Sequence, residues 1–277
     1  DSRVKLVKTE QNSGPYVARN MALDIATGDF ITCNDSDDWS HAQKLEYQVN
    51  HLTENPDIVA NISQWARITE DLKFYRRNNP GFYIQINLSS LMFRREQVLD
   101  KLGYWDSVRF GADSEFHKRL MIVFGAESII ELPPIPLSFA RLSENSLTGN
   151  SVFGYPGFPM GARKEYRDSY INYFSKNKDL AYSFPLLQRP FPIPKVMDST
   201  VDRTILKNRK VDLILVSDFR IDDHILPEII EKCKKEHLNV ALVHLEIYNL
   251  STKVKLDGRI RELVDGQQIE MLIYGDK

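Results

Sequence analysis

Residues 28–41, GDFITCNDSDDWSH, carry an apolar run straight into three carboxylates. Phe30, Ile31, Thr32 and Cys33 read as a buried strand, because β-branched and aromatic residues in a short run behind a Gly-Asp turn suit a pleated, two-sided core. Asp35, Asp37 and Asp38 then fall at the C-terminal end of that strand, where open α/β sheets bind ligands. Neighbouring carboxylates repel one another unless a cation or a set of donors compensates. A divalent metal does so with the fewest parts. The other reading is a solvated acidic loop that caps the helix beginning near Ser40.

Outward from this stretch the pattern alternates between strand and helix. Arg3 to Thr9 reads as a strand, Asn12, Gly14 and Pro15 as a loop, and Tyr16 to Ala26 as a helix stopped by Gly28. Downstream, Leu45, Val49 and Leu52 recur at helical spacing until Asn55-Pro56 ends them. Residues 57–69 and 82–94 read as further strands, a short helix follows from Arg95, and a second helix runs from about Asp113 to Phe124. Ile129 to Leu132 is a strand closed by Pro133-Pro134. Loop chemistry dominates from Ala140 to Gly161, then a helix is expected from Arg163 to Lys176. Four prolines in "SFPLLQRPFPIPKVMDST" mark a semi-extended connector. Beyond it, strands and helices alternate afresh, as in a βαβ unit. Three apolar strands in so short a tail cannot cover both faces of a parallel sheet. The expected organisation is therefore residues 1–184 as one α/β domain, 185–208 as a Pro-rich linker and 209–277 as a partial second domain.

At 42% hydrophobic and 27% charged the chain has the composition of a globular protein, and disordered or collagen-like classes are excluded. A formal net charge of −2 gives no global attraction to nucleic acid or anionic membrane, so any phosphate recognition must be local. Cys33 and Cys233 form neither a disulfide framework nor a metal cage, which fits a reducing cytoplasm. No apolar run reaches the roughly 18 residues of a membrane span. The start has no signal-peptide core and no initiator Met, so a longer parent chain is expected.

Taken together, Asn12-x-Gly14, Ala18-Arg19-Asn20, Gly28-Asp29 and Asp35-Ser36-Asp37-Asp38 resemble the family 2 glycosyltransferases. The order and spacing carry the likeness, which covers residues 1 to about 195. It implies the GT-A nucleotide-diphospho-sugar transferase fold, an α/β architecture with a Rossmann-like mixed sheet, here starting after the first strands of the family. It also implies inverting transfer of a sugar from a UDP-, GDP- or dTDP-linked donor to a glycan or lipid-linked hydroxyl acceptor. In such proteins the acidic motif binds the Mg²⁺ or Mn²⁺ that bridges the donor diphosphate. By that match Asp35 lies towards the ribose, and Asp35 and Asp37 are the metal ligands. Hard oxygen donors suit these ions, which stabilise charge growing on the leaving phosphate oxygens.

The stretch "RFGADSEFHKRL", residues 109–120, resembles the family motif whose Asp takes the proton from the acceptor hydroxyl. Asp113 matches that base, with Ala112 where a Glu often stands; a plain helix N-cap is the alternative. Asn12, Arg19 and Asn20 are implied to position the nucleotide, unless Arg19 and Asn20 are simply a surface pair. Arg141 either binds diphosphate or pairs with Glu144. Tyr104, Trp105 and Asp106 form a Gly-aromatic loop suited to stacking on an acceptor sugar, with core packing of Trp105 as the other reading.

Two further enzyme or binding classes fit poorly. A phosphatase with an Asp nucleophile wants Thr or Val where Trp39 stands, and a calcium loop lacks its sixth-position Gly and twelfth-position Glu. A catalytically inactive carbohydrate-binding or scaffold fragment stays open as the alternative. The tail "VDLILVSDFR" with "NVALVHLE" resembles the start of a GT-B glycosyltransferase domain, an incomplete Rossmann-like βαβ unit. By analogy the pairing points to bacterial surface-polysaccharide synthesis, in the cytoplasm or peripherally at the inner face of the membrane.

Overall fold

The computed structural model describes residues 1–76, 81–142, 161–201, 210–221, 224–247, 251 and 255–274. The chain divides into two compact units, residues 1–149 with 177–187, and residues 150–176 with 188–277.

In the first unit the elements are α1 (Pro15–Asp24), β1 (Phe30–Ile31), β2 (Asp38–Ser40), α2 (Lys44–Glu54), β3 (Ala60–Ile68), β4 (Phe74–Tyr75), β5 (Ile84–Ile86), β6 (Met92–Arg94), α3 (Arg95–Lys101), α4 (Ala112–Phe124) and β7 (Ile129–Arg141). The sheet runs β1-β6-β3-β7-β2, with β4 and β5 also paired to β3. Only β3 and β7 run parallel; the other pairings are antiparallel. This is the mixed α/β sheet that the GT-A resemblance implies. Its core gathers Leu52, Ile62, Phe93, Val98, Leu102, Phe116 and Leu120, all fully enclosed.

Three expectations change. Residues 3–9 form no strand, and Val4 and Leu6 lie exposed. An extended run becomes a strand only when a neighbour accepts its ladder of hydrogen bonds. The single strand expected at 82–94 is broken, because the Asn87 side chain accepts from the Ser89 N–H at 3.1 Å and turns the chain between β5 and β6. The third concerns β7, which passes through its prolines instead of ending at them. It advances from Glu131 to Pro136 while β3 advances from Ile62 to Gln64, so Pro133 and Pro134, which lack N–H donors, bulge out of the ladder.

A bridge between Gly103 and Tyr182 holds the loop that precedes α4. Gly103 has φ 71, and a Cβ there would lie 2.0 Å from the Tyr182 carbonyl oxygen. Gly103→Ala should therefore cost about 1–3 kcal/mol of backbone strain. A fall in the urea midpoint at constant m-value is the expected measurement; an unchanged midpoint would contradict the contact.

The second unit holds α5 (Ala162–Lys176), β8 (Leu213–Ser217), α6 (Ile225–Lys235), β9 (Val240–His244), α7 (Gly258–Leu263) and β10 (Ile269–Leu272). Its three strands are parallel in the order β10-β9-β8. Helices α6 and α7 bury Ile230, Cys233 and Ile260 against Val240, Leu242 and Ile269. Ile214 and Val216, pointing the other way from β8, stay half exposed. Helix α5 belongs with this unit and not with the first, unlike the boundary read at 184. Glu165 pairs with Arg261, Ser169 Oγ donates to the Pro192 carbonyl at 2.6 Å, and Lys176 meets Glu262 at 2.5 Å.

Candidate active site

The acidic turn joins β1 to β2. The Asp38 N–H donates to the Asp35 carbonyl at 3.1 Å, and Ser40 Oγ to Asn34 Oδ1 at 2.5 Å, so the loop is internally braced. Asp35 is gripped from two sides, by Arg19 Nη2 at 2.6 Å and by Ser89 Oγ at 2.9 Å. Arg19 lies over the Tyr16 ring, 5.1 Å from its centroid. The buried Tyr16 hydroxyl in turn lies near enough to Asp113, at the start of α4, to feel its charge. Two motifs far apart in sequence are thus linked through Asp35, Arg19, Tyr16 and Asp113.

Charge is concentrated here. Burial, then Asp35 and Asp37, push the Asp38 carboxyl up to about 6, with Arg67 and Lys44 opposing. Burial works against the Arg19 charge, but Cys33, Tyr16, Asp35 and Asp113 outweigh it and hold the guanidinium protonated. Tyr16 is raised by burial first and by Asp113 second, so it stays a neutral donor. Asp37 is exposed. Carboxylate oxygens alone are the donor chemistry of a hard divalent ion. Among the described residues no three His, Cys, Asp or Glu side chains form a metal cage, so Asp35 and Asp37 would supply only part of a coordination shell.

The remaining sites read from sequence divide sharply. Asn12 shapes the loop before α1: its side chain accepts from the Gly14 N–H at 3.3 Å and its carbonyl from Arg109 Nη1 at 2.6 Å. Asn20 is fully buried, donates to the Trp105 carbonyl at 2.8 Å and accepts the Trp105 N–H at 3.0 Å. It is a structural tie with no face left for a nucleotide. Trp105 stacks on Phe116 at 4.7 Å, and both Trp105 and Asp106 are buried, so neither offers an acceptor platform. Tyr104 is half-buried with its hydroxyl on Asp24 at 2.8 Å. Arg141 is half exposed and lies 3.9 Å from Glu70; Glu144 is outside the described residues. Asp113 is not an N-cap: Gly111 holds that position, and Asp113 stands in the first turn with its carboxylate accepting from the Ser114 N–H at 3.0 Å. Tyr16 and Ser89 went unread, for they carry no motif of their own and reach the acids only through folding.

Behind Asp113, Glu115 and Arg119 form a fully enclosed ion pair at 2.5 Å. Arg119 also donates to the carbonyls of Leu102, Tyr104 and Leu180, which fastens α4 to the preceding loop. Burial pushes Glu115 up to about 7, with Arg119 pulling it back. Arg119→Met should destabilise the fold by about 3–5 kcal/mol, because it strands a buried carboxylate. Adding Glu115→Leu should recover much of that loss in thermal or urea unfolding. A double variant no better than the single one would show that the carbonyl bonds matter more.

Residues 1–115 match the model of the family described as Glycosyl transferase family 2. Residues 1–115 are thus similar to the family 2 glycosyltransferases. That segment contains both linked motifs, from Asn12 through Asp113. An uncharacterized glycosyltransferase of Haemophilus influenzae is 51% identical over 55 residues, 20% of this chain and 22% of that protein. The Escherichia coli UDP-Glc:alpha-D-GlcNAc-diphosphoundecaprenol beta-1,3-glucosyltransferase WfgD is 47% identical over 55 residues, again 20% and 22%. The putative teichuronic acid biosynthesis glycosyltransferase TuaG of Bacillus subtilis is 44% identical over 54 residues, 20% of this chain and 21% of that protein. The matched part of this chain spans less than a quarter of each of these three relatives.

Proposed function

We propose that the chain moves a sugar from a nucleoside-diphosphate donor to a hydroxyl of a glycan or lipid-linked glycan, with inversion, in surface-polysaccharide synthesis. The observation that supports this reading is the Asp35–Arg19–Tyr16–Asp113 link between the two motifs; in this reading Asp35 is the donor-side acid and Asp113 the acceptor-side base. Names of relatives support the substrate classes: WfgD is called a glucosyltransferase acting from UDP-Glc on a diphosphoundecaprenol-linked sugar, and TuaG a teichuronic acid enzyme.

In this reading Asp113 accepts the proton of the acceptor hydroxyl as its oxygen attacks the anomeric carbon, and the bond to the diphosphate breaks on the opposite face. Tyr16, a neutral donor, orients the Asp113 carboxylate. Arg19 holds Asp35, and Asp35 with the exposed Asp37 would hold a Mg²⁺ or Mn²⁺ ion. When bound, that ion supplies positive charge to the leaving diphosphate. Arg141, at the end of β7 next to the register partner of Asp38, is the further cation for the diphosphate. Tyr104 is the one residue of the Gly-aromatic loop left for acceptor contact.

None of the described helices is long and apolar enough to cross a membrane. Calorimetric titration of the purified chain with UDP-, GDP- and dTDP-sugars, with Mn²⁺ and then with chelator, tests the reading. Metal-dependent binding of one donor is expected. Failure of every donor to bind would overturn it, and binding without turnover would favour an inactive carbohydrate-binding role.

A further inference from the structure

The strand that carries the acidic motif leads into an open groove of about 480 Å³ between α2 and β7. Gln43, Glu46, Tyr47 and Asn50 recur at the spacing of one helix face and line one wall, while Ile135 and Leu137 line the other. Residues 132–135 of β7, Pro133 and Pro134 among them, bulge out of the ladder there, and Ile135 is 56% exposed. In the chain, Trp39 stands between Asp38 and the groove-lining His41; it is half exposed, stacked on Phe139 at 5.1 Å and 20°, with His41 edge-on at 6.0 Å.

We propose that this groove is a saccharide subsite that holds the acceptor glycan away from its reacting end. A sugar ring has apolar C–H faces and a polar hydroxyl rim. A wall of amides and a carboxylate opposite an aliphatic wall, with the rings of Tyr47 and His41 in the lining and Trp39 beside His41, meets both. The volume falls within the range of ordinary ligand clefts, about 300–1,000 Å³. Gln43 follows Asp37 by six positions, a reach of at most about 20 Å. The groove therefore lies within the span of one oligosaccharide of the acidic motif. The proposal rests on the glycosyltransferase reading above and extends it to the acceptor.

The test uses the full chain labelled with 5-fluorotryptophan, its Trp39 fluorine resonance assigned with Trp39→Phe. Free cello-, laminari-, malto- and chito-oligosaccharides, from disaccharides to hexasaccharides, are the probes. At least one series should shift the Trp39 signal saturably, with affinity rising with length. Tyr47→Ala and Asn50→Ala, both on the solvent side of α2, should each weaken that binding about tenfold and leave UDP binding unchanged. Asp37→Asn should lose metal-dependent donor binding but keep saccharide binding, so the two readings fail separately. No Trp39 shift with any probe, or undiminished affinity in both variants, overturns the subsite. Binding only of a diphosphate-lipid-linked sugar, with free saccharide inert, overturns it too, because the diphosphate and not the glycan would then be the recognised group.

Discussion

Asp37→Asn should lower sugar transfer by several orders of magnitude while the fold stays intact. The substitution keeps the shape of the side chain but removes a charge that a bound cation needs to hold the leaving diphosphate. Asp37 is the clean position for this test, because it is exposed, whereas Asp35 also anchors Arg19 at 2.6 Å and its loss would disturb the link to Asp113. A second readout follows from electrostatics. Asp37 is one of the charges that push Asp38 up to about 6, so Asp38 should titrate lower in the variant. Carbon-detected NMR of the carboxylates measures this directly. Unchanged transfer with unchanged Mn²⁺ dependence would remove Asp37 from the site.

Asp113→Asn should slow transfer by about 10² to 10⁴, the usual worth of a positioned base. Donor affinity should stay close to that of the unchanged chain, since the base acts on the acceptor. Tyr16 provides a control. Its hydroxyl is coupled to the Asp113 charge, so Tyr16→Phe removes a polar neighbour without removing the base and should cost less than Asp113→Asn does. Steady-state kinetics with saturating donor separate the two. A variant of Asp113 that loses donor affinity instead would put this carboxylate against the nucleotide.

The order of elements was open to reading because it depends on local chemistry. Periodicity, Pro and Gly placed α1, α2, α4, α5 and the tail strands close to where they form. The two acidic motifs were equally legible, since their residues stand together in the chain. What the sequence by itself determined is therefore the set of elements, the alternation that makes an α/β protein and the family likeness of residues 1–115. Only tertiary structure decided which side chains are available for chemistry. Asn20, Trp105 and Asp106 look like ligand residues in sequence, yet they are enclosed and tie α1 to the loop before α4. Ser89 and Tyr16 look ordinary, yet they reach Asp35 and Asp113. Residues 3–9 have the pattern of a strand but no partner, and β7 runs past prolines that would end a strand read alone. The common reason is physical: propensity acts over a few neighbours along the chain, whereas burial, strand pairing and charge coupling are set by residues that only the completed fold brings within reach.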